Sequence, residues 1–129
     1  DRGSMLRAIY EGVAFQHRRH GENVSHYVAP DGPSVIRLAG GASKSAVWSQ
    51  IFADICGLPV EVSEGEELGA LGAAMCAAVA TGHYSDLAAA SRGMCRITRT
   101  ALPDAAVRAF YEDRYQQFLT LDQKLADLF

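Results

Sequence analysis

"RLAGGASKSAVWSQIFADICGLPVEV" spans Arg37 to Val62. A short apolar run, Val35 to Ala39, reads as a strand and ends in Gly40-Gly41-Ala42. A helical pattern follows over about 44–56, with Val47, Trp48, Ile51, Phe52 and Ile55 as its apolar stripe. Gly57 suits the left-handed position that stops a helix, and Pro59 prevents its continuation. Val60 to Val62 reads as a second short strand. This is a β-α-β unit, and it places the chain in the α/β class. It leaves a question at its first turn: Gly40-Gly41 serves either a ligand or only a sharp chain reversal.

Before this unit, residues 4–20 read as a helix. Its stripe is Leu6, Ile9, Tyr10, Val13 and His17, with Ser4 as N-cap and Gly21 as stop. Residues 21–34 hold Gly, Asn, Ser, Pro and Asp and read as a loop. After the unit, Ser63 and Glu66 match a capping box that opens a helix running to about Thr81, with Gly82 as its stop. Gly69, Ala70, Gly72, Ala73 and Ala74 crowd that helix with small residues. Interior glycine costs about 1 kcal/mol relative to Ala, so Gly69 and Gly72 predict a close approach to another backbone. A short helix is expected over 86–93, an irregular stretch or brief strand over 94–103, and a last helix over 104–127. That helix carries Val107, Phe110, Tyr111, Tyr115, Phe118, Leu121 and Leu125.

The chain has 129 residues, 49% of them apolar and 21% charged, which fits a globular domain rather than a disordered one. No apolar run reaches the roughly 20 residues of a membrane span. The net charge of −3 argues against a nucleic-acid surface, and Arg18-Arg19 reads as a solvated helix face. Cys56, Cys76 and Cys95 form no Cys-x-x-Cys pair and no disulfide framework. Buried free cysteine behaves as a small hydrophobe, and a reducing, cytoplasmic setting is expected. Two or three short strands make a small sheet, against a usual five or six. The predicted elements therefore describe a piece of a larger protein. Its sheet edges and apolar face favour self-association, with a homodimer as one form.

A strand ending in Gly-Gly and feeding a helix through Ser and Lys can meet a nucleotide. Glycine lets a ligand approach the main chain, and a helix N-terminus favours phosphate. Neither a P-loop nor a Gly-x-Gly-x-x-Gly pattern is present, so on spacing alone the turn reading stays open beside the ligand reading. Other candidates have simpler readings. His17, His20 and His26, with Glu22, lack a recognisable metal-ligand spacing. Ser43 and Ser45 lack the nucleophile elbow of a hydrolase. Glu64, Glu66 and Glu67 suit a helix N-terminus better than an acid/base pair. Trp48 lies in an apolar stripe and reads as core rather than as an adenine platform.

The wider pattern resembles the C-terminal domain of the FGGY family of carbohydrate kinases. It is carried by Gly40-Gly41-Ala42, Trp48-Ser-Gln50-Ile-Phe-Ala53-Asp54, Gly57-Leu-Pro59-Val60, Glu67-Leu-Gly69-Ala-Leu-Gly72-Ala73-Ala74, and Gly82 before Tyr84. Upstream, Arg7, Ala8, Glu11 and Gly12 match the family's Arg-Ala-x-x-Glu-Gly helix. The similarity covers about residues 5–85, and within the family it is nearest to the pentulose kinases, including the L-xylulose kinase type. The resemblance implies an actin-like, ribonuclease-H-like ATPase fold of two domains. It implies transfer of the γ-phosphoryl group of Mg-ATP to a sugar hydroxyl, with a sugar and ATP as partners and no nucleic acid or membrane. It makes residues 1–129 the later part of the nucleotide-side domain, with the sugar-binding domain and the catalytic Asp elsewhere. By motif position Gly40, Gly41, Ala42 and Ser45 approach the nucleotide, although glycerol kinases carry Asn at the place of Ser45. No catalytic or metal-ligating residue is assigned within the chain. The small-residue helix from Leu68 would pack behind the nucleotide loop. Two other readings stand beside this one: a non-catalytic actin-like nucleotide-binding or assembly module, and a structural domain that binds nothing.

Overall fold

The computed structural model describes residues 1–28, 32–65 and 67–126. In chain order the elements are α1 (Arg2–Val28), β1 (Ile36–Leu38), a 3-10 turn (Gly40–Lys44), α2 (Ala46–Cys56), β2 (Val60–Ser63), α3 (Leu68–Ala80), α4 (Leu87–Met94), β3 (Ile97–Ala101), a second 3-10 turn (Ala105–Val107) and α5 (Arg108–Ala126). The sheet order is β1-β2-β3. β1 and β2 are parallel, with Ile36 opposite Val60 and Leu38 opposite Val62. β3 is antiparallel to β2, with Ala101 opposite Val60 and Arg99 opposite Val62, and a bulge at Val62/Ser63.

The expected β-α-β unit is present, and α2 forms the centre of the core. Ile51, Phe52, Ala53 and Ile55 are buried with Val60 and Ala101 of the sheet, Ala14 and Phe15 of α1, and Tyr111 and Tyr115 of α5. Gly57 closes α2 at φ 68°, in the left-handed region expected of it. Val47 departs from the predicted stripe, at 62% exposed.

α1 differs most from its sequence reading. It does not stop at Gly21 but continues to Val28, and the Asp1 carboxylate, not Ser4, caps its start by accepting from the Ser4 amide at 2.8 Å. Its core face is Tyr10, Ala14 and Phe15, while Leu6, Ile9 and Val13 are exposed. Tertiary bonds explain the extension past Gly21. Arg18 donates to Glu22 (2.9 Å), Glu112 (2.8 Å) and the Ile55 carbonyl (3.2 Å). Its guanidinium lies 3.9 Å from the Tyr115 ring centroid, and the Tyr115 hydroxyl donates to Glu22 at 2.6 Å. Burial and the Glu22 bond both push the Tyr115 hydroxyl pKa up. This network across three helices offsets the helix cost of one glycine, about 1 kcal/mol. Arg18 and Arg19, read as a solvated basic patch, are instead ion-paired, Arg19 with Asp122.

A second polar tie joins α1 to α5. Arg7 donates to Glu11 (2.8 Å) and to the Tyr111 hydroxyl (2.7 Å), which itself donates to Glu11 at 2.9 Å. A third uses Gln50 and Asp54. Gln50 Nε2 donates to Asp54 (2.8 Å) and to the Leu102 carbonyl (2.7 Å), and Asp54 also accepts the Asp104 amide at 2.9 Å. These bonds fix the chain between β3 and α5 to the side of α2. Asp54→Ala removes the acceptor of the exposed Asp104 amide and of Gln50, so we expect a loss of about 0.5–1.5 kcal/mol. Asp54→Asn, which keeps an acceptor, should lose less; comparing the two midpoints in urea checks the order.

α3 also departs from expectation. The helix starts at Leu68 with Glu67 at the cap position and no side-chain cap bond, so Ser63 ends β2 and does not open a helix. Glu66, the other half of the expected box, lies outside the described residues, as does Asp127 at the predicted end of the last helix. No α3 residue is buried. A Cβ at Gly69 or Gly72 meets no described atom within 4 Å. The principal neighbour of α3 is α4, not the glycine turn. The crowded glycine is Gly93 of α4, where a Cβ would collide with the hydroxyl end of the Tyr84 ring.

Candidate functional site

The turn after β1 is built from local bonds. Ala39 is extended (φ −130°, ψ 168°), and Gly40 then takes φ 72°, which L-residues with a Cβ rarely adopt. That one residue turns the chain from the strand into the 3-10 segment. The Ser43 hydroxyl donates to the Gly40 carbonyl at 2.7 Å, and the Ser45 amide donates to the Ala42 carbonyl at 3.3 Å. Ser45 then caps α2, its Oγ accepting the Trp48 amide at 3.2 Å.

The two glycines therefore differ. Gly40 is required by backbone conformation. Gly41 has no positive φ, and a Cβ placed on it meets no described atom within 4 Å. Both are exposed, whereas Ala42 and Ser45 are half-buried. Ser45 already acts as a cap, but a hydroxyl that accepts one bond retains its own proton for donation. The turn opens onto the start of an 11-residue helix, whose dipole and first-turn amides favour a negative group. Gly40, Gly41, Ala42 and Ser45 thus lie together at one exposed turn able to receive an anionic ligand.

Trp48 is three residues into this helix system and is part of the packing, as its stripe predicted. Its ring stacks on Tyr10 with centroids 4.7 Å apart and lies 6.0 Å from Phe52. Its buried Nε1 has no hydrogen-bond partner among the described residues.

One residue beneath the turn escaped the sequence reading. Arg99 of β3 donates through Nη2 to the Ser43 carbonyl and to Ser49 Oγ, the latter at 3.0 Å. Ser49 is fully buried and passes its own proton to the Ser45 carbonyl at 3.0 Å. A signal existed: with period-two alternation Arg99 shares a strand face with Ala101, which is buried. Reading 94–103 as irregular or a brief strand hid it.

The other candidates have ordinary surroundings. His17 Nδ1 is 2.9 Å from the Val13 carbonyl and its ring packs edge-on to Phe52, while His20 pairs with Gln16. The His26 side chain lies outside the described residues. Among the described residues no three His, Cys, Asp or Glu side chains gather as a metal site. Burial pushes the Cys56 thiol up to about 11, which makes it unreactive. No described helix is long and apolar enough to cross a membrane.

Known proteins resemble this chain in sequence and in fold. Residues 1–81 match the family model for the C-terminal domain of the FGGY family of carbohydrate kinases. The L-xylulose/3-keto-L-gulonate kinase of Escherichia coli (strain K12) is 38% identical over 117 residues, which cover 91% of this chain and 23% of that protein. The autoinducer-2 kinase of Enterobacter sp. (strain 638) is 32% identical over 118 residues, covering 92% of this chain and 22% of that protein. The chain thus spans about a quarter of the curated relatives it matches. Among solved structures, the xylulose kinase from Rhodospirillum rubrum superposes with a TM-score of 0.84 at 28% identity, covering 99% of this chain and 26% of that one. The ligand-bound xylulose kinase from Lactobacillus acidophilus superposes with a TM-score of 0.87 at 24% identity, covering 98% of this chain and 25% of that one, a likeness of fold. With the family model matching well over half its length, this chain belongs to the FGGY family of carbohydrate kinases.

Proposed function

We propose that the chain is the nucleotide-side portion of an ATP-dependent carbohydrate kinase with an actin-like two-domain scaffold. The intact protein would move the γ-phosphoryl group of Mg-ATP to a hydroxyl of a sugar, and a ketopentose is the substrate class we favour. The observation that carries this reading is Gly41: an exposed glycine with neither a backbone nor a packing reason to be glycine, set at a helix N-terminus. Main-chain approach by a ligand gives it a reason. The residues present suit a nucleotide, because the turn carries small side chains and leads into the N-terminus of α2.

ATP supplies the phosphoryl group and carries its Mg²⁺. The residues of this chain bind and orient. Gly40 sets the turn, Gly41 and Ala42 leave room for the nucleotide, and Ser45 supplies a hydroxyl. Phosphoryl transfer depends mainly on such positioning and on charge stabilisation. The base that takes the sugar proton falls outside this chain in our reading. The relatives bear names for both xylulose and autoinducer-2 substrates. The test is therefore a panel of pentuloses, hexuloses and glycerol, with coupled ADP detection, on the intact parent protein. Turnover on a ketopentose above the other sugars is expected. Binding of ATP without turnover on any sugar would replace this reading with a non-catalytic nucleotide-binding module.

A further inference from the structure

We propose that Arg99 is a positioning residue for the glycine turn: it holds the Ser43 carbonyl from below and thereby sets the affinity for the anionic nucleotide. The inference rests on the nucleotide reading above and adds a residue beyond the segment matched by the family model, which ends at residue 81.

The geometry is specific. The Arg99 Nη2 bonds reach the last part of the turn at Ser43 and the first turns of α2 at Ser49. Ser49 relays to the Ser45 carbonyl. One side chain on β3 is thus bonded, directly or through one hydroxyl, to two main-chain carbonyls on either side of Lys44. The strand that carries it is paired to the central strand at Val62, which is buried. The turn is therefore anchored to the sheet as well as to its own helix.

Arg99 is poorly suited to be a stabiliser. Its Nε is buried without a hydrogen-bond partner among the described residues. A buried donor without a partner carries a desolvation cost that the other bonds of the side chain must offset. No described carboxylate forms an ion pair with it. The charge lies without a carboxylate ion pair directly under the turn. In a partly buried setting that charge acts through a lower dielectric than water, and its sign favours phosphate.

The experiment compares Arg99→Met, Arg99→Lys and Ser49→Ala with wild type in the intact parent protein. Calorimetry gives ATP and sugar affinities, and hydrogen exchange of the ligand-free protein follows the amides of Gly41–Ser45 against those of β2. Arg99→Met should weaken ATP binding about tenfold or more, equal to about 1.4 kcal/mol, with sugar affinity within about twofold. Turn amides should exchange faster while β2 is unchanged. Arg99→Lys, a point charge without the fork, should fall between. Ser49→Ala should move in the same direction and decides the matter if Arg99→Met does not fold. ATP affinity within about twofold of wild type in a folded Arg99→Met, or in Ser49→Ala when Arg99→Met does not fold, overturns the inference. If Gly41→Val weakens ATP binding while these variants do not, the nucleotide reading survives and the role of Arg99 alone is lost. If wild type binds no ATP, the nucleotide reading fails, and accelerated turn exchange in Arg99→Met would still establish the anchor.

Discussion

Tyr115→Ala should lower the unfolding free energy by about 3–5 kcal/mol, the cost of truncating a buried aromatic residue in a packed core. Tyr115 is 1% exposed and stacks against Phe15 at 6.0 Å and Phe118 at 6.3 Å. Its ring also receives the Arg18 guanidinium, and its hydroxyl bonds Glu22. The truncation therefore leaves a cavity and strips Arg18 of one of its contacts. Tyr115→Phe keeps the ring and removes only the bond to Glu22, so a loss of about 1–2 kcal/mol is expected. Urea unfolding of both variants is the check. Equal losses would mean that the hydroxyl, not the ring, holds α5 to α1.

Gly41→Val should reduce ATP affinity of the intact parent protein by about tenfold or more while leaving its fold in place. The backbone at Gly41 needs no left-handed conformation, and an added Cβ meets no described atom within 4 Å. Replacing a glycine at an unstrained site even reduces the freedom of the unfolded chain, so Gly41→Ala should keep or raise the unfolding midpoint. Gly40 behaves oppositely. At φ 72° a side chain costs about 1–2 kcal/mol in strain, and that variant confuses folding with binding. Comparing ATP and sugar affinities for Gly41→Ala and Gly41→Val separates the two. Unchanged ATP affinity in Gly41→Val would leave the pair as a turn and remove the nucleotide from this site.

The elements legible in the sequence were those with strong local signals. Gly57 followed by Pro59, and the stripe of Ile51, Phe52 and Ile55, placed α2 and both flanking strands correctly. The glycine turn was legible as an interruption, but not which glycine carries the positive φ. The end of α1 is not legible because Gly21 is a local stop signal, whereas Arg18 and Glu22 bond to the Ile55 carbonyl of α2 and to Glu112 and Tyr115 of α5. The face of α1 was misread for a related reason. Leu6, Ile9 and Val13 fit the helical period, but α2 and α5 pack on Tyr10, Ala14 and Phe15. Strand alternation places Arg99 on the face of buried Ala101, but its partners, a carbonyl and a hydroxyl about fifty residues earlier, are linked to it by no spacing rule.

The chain contains one tryptophan, and its place gives the fold a built-in optical label. Trp48 is held between Tyr10 and Phe52, and its amide bonds the serine that closes the glycine turn. Emission from this chain therefore originates at the junction of α1, α2 and the turn. Movement of the start of α2, which Ser45 of the turn caps, relative to α1 shifts the indole's distance to the Tyr10 ring, hence its quenching and the energy it receives from that ring. The same residue that locks two helices together reports, without added dye, on the few residues above it.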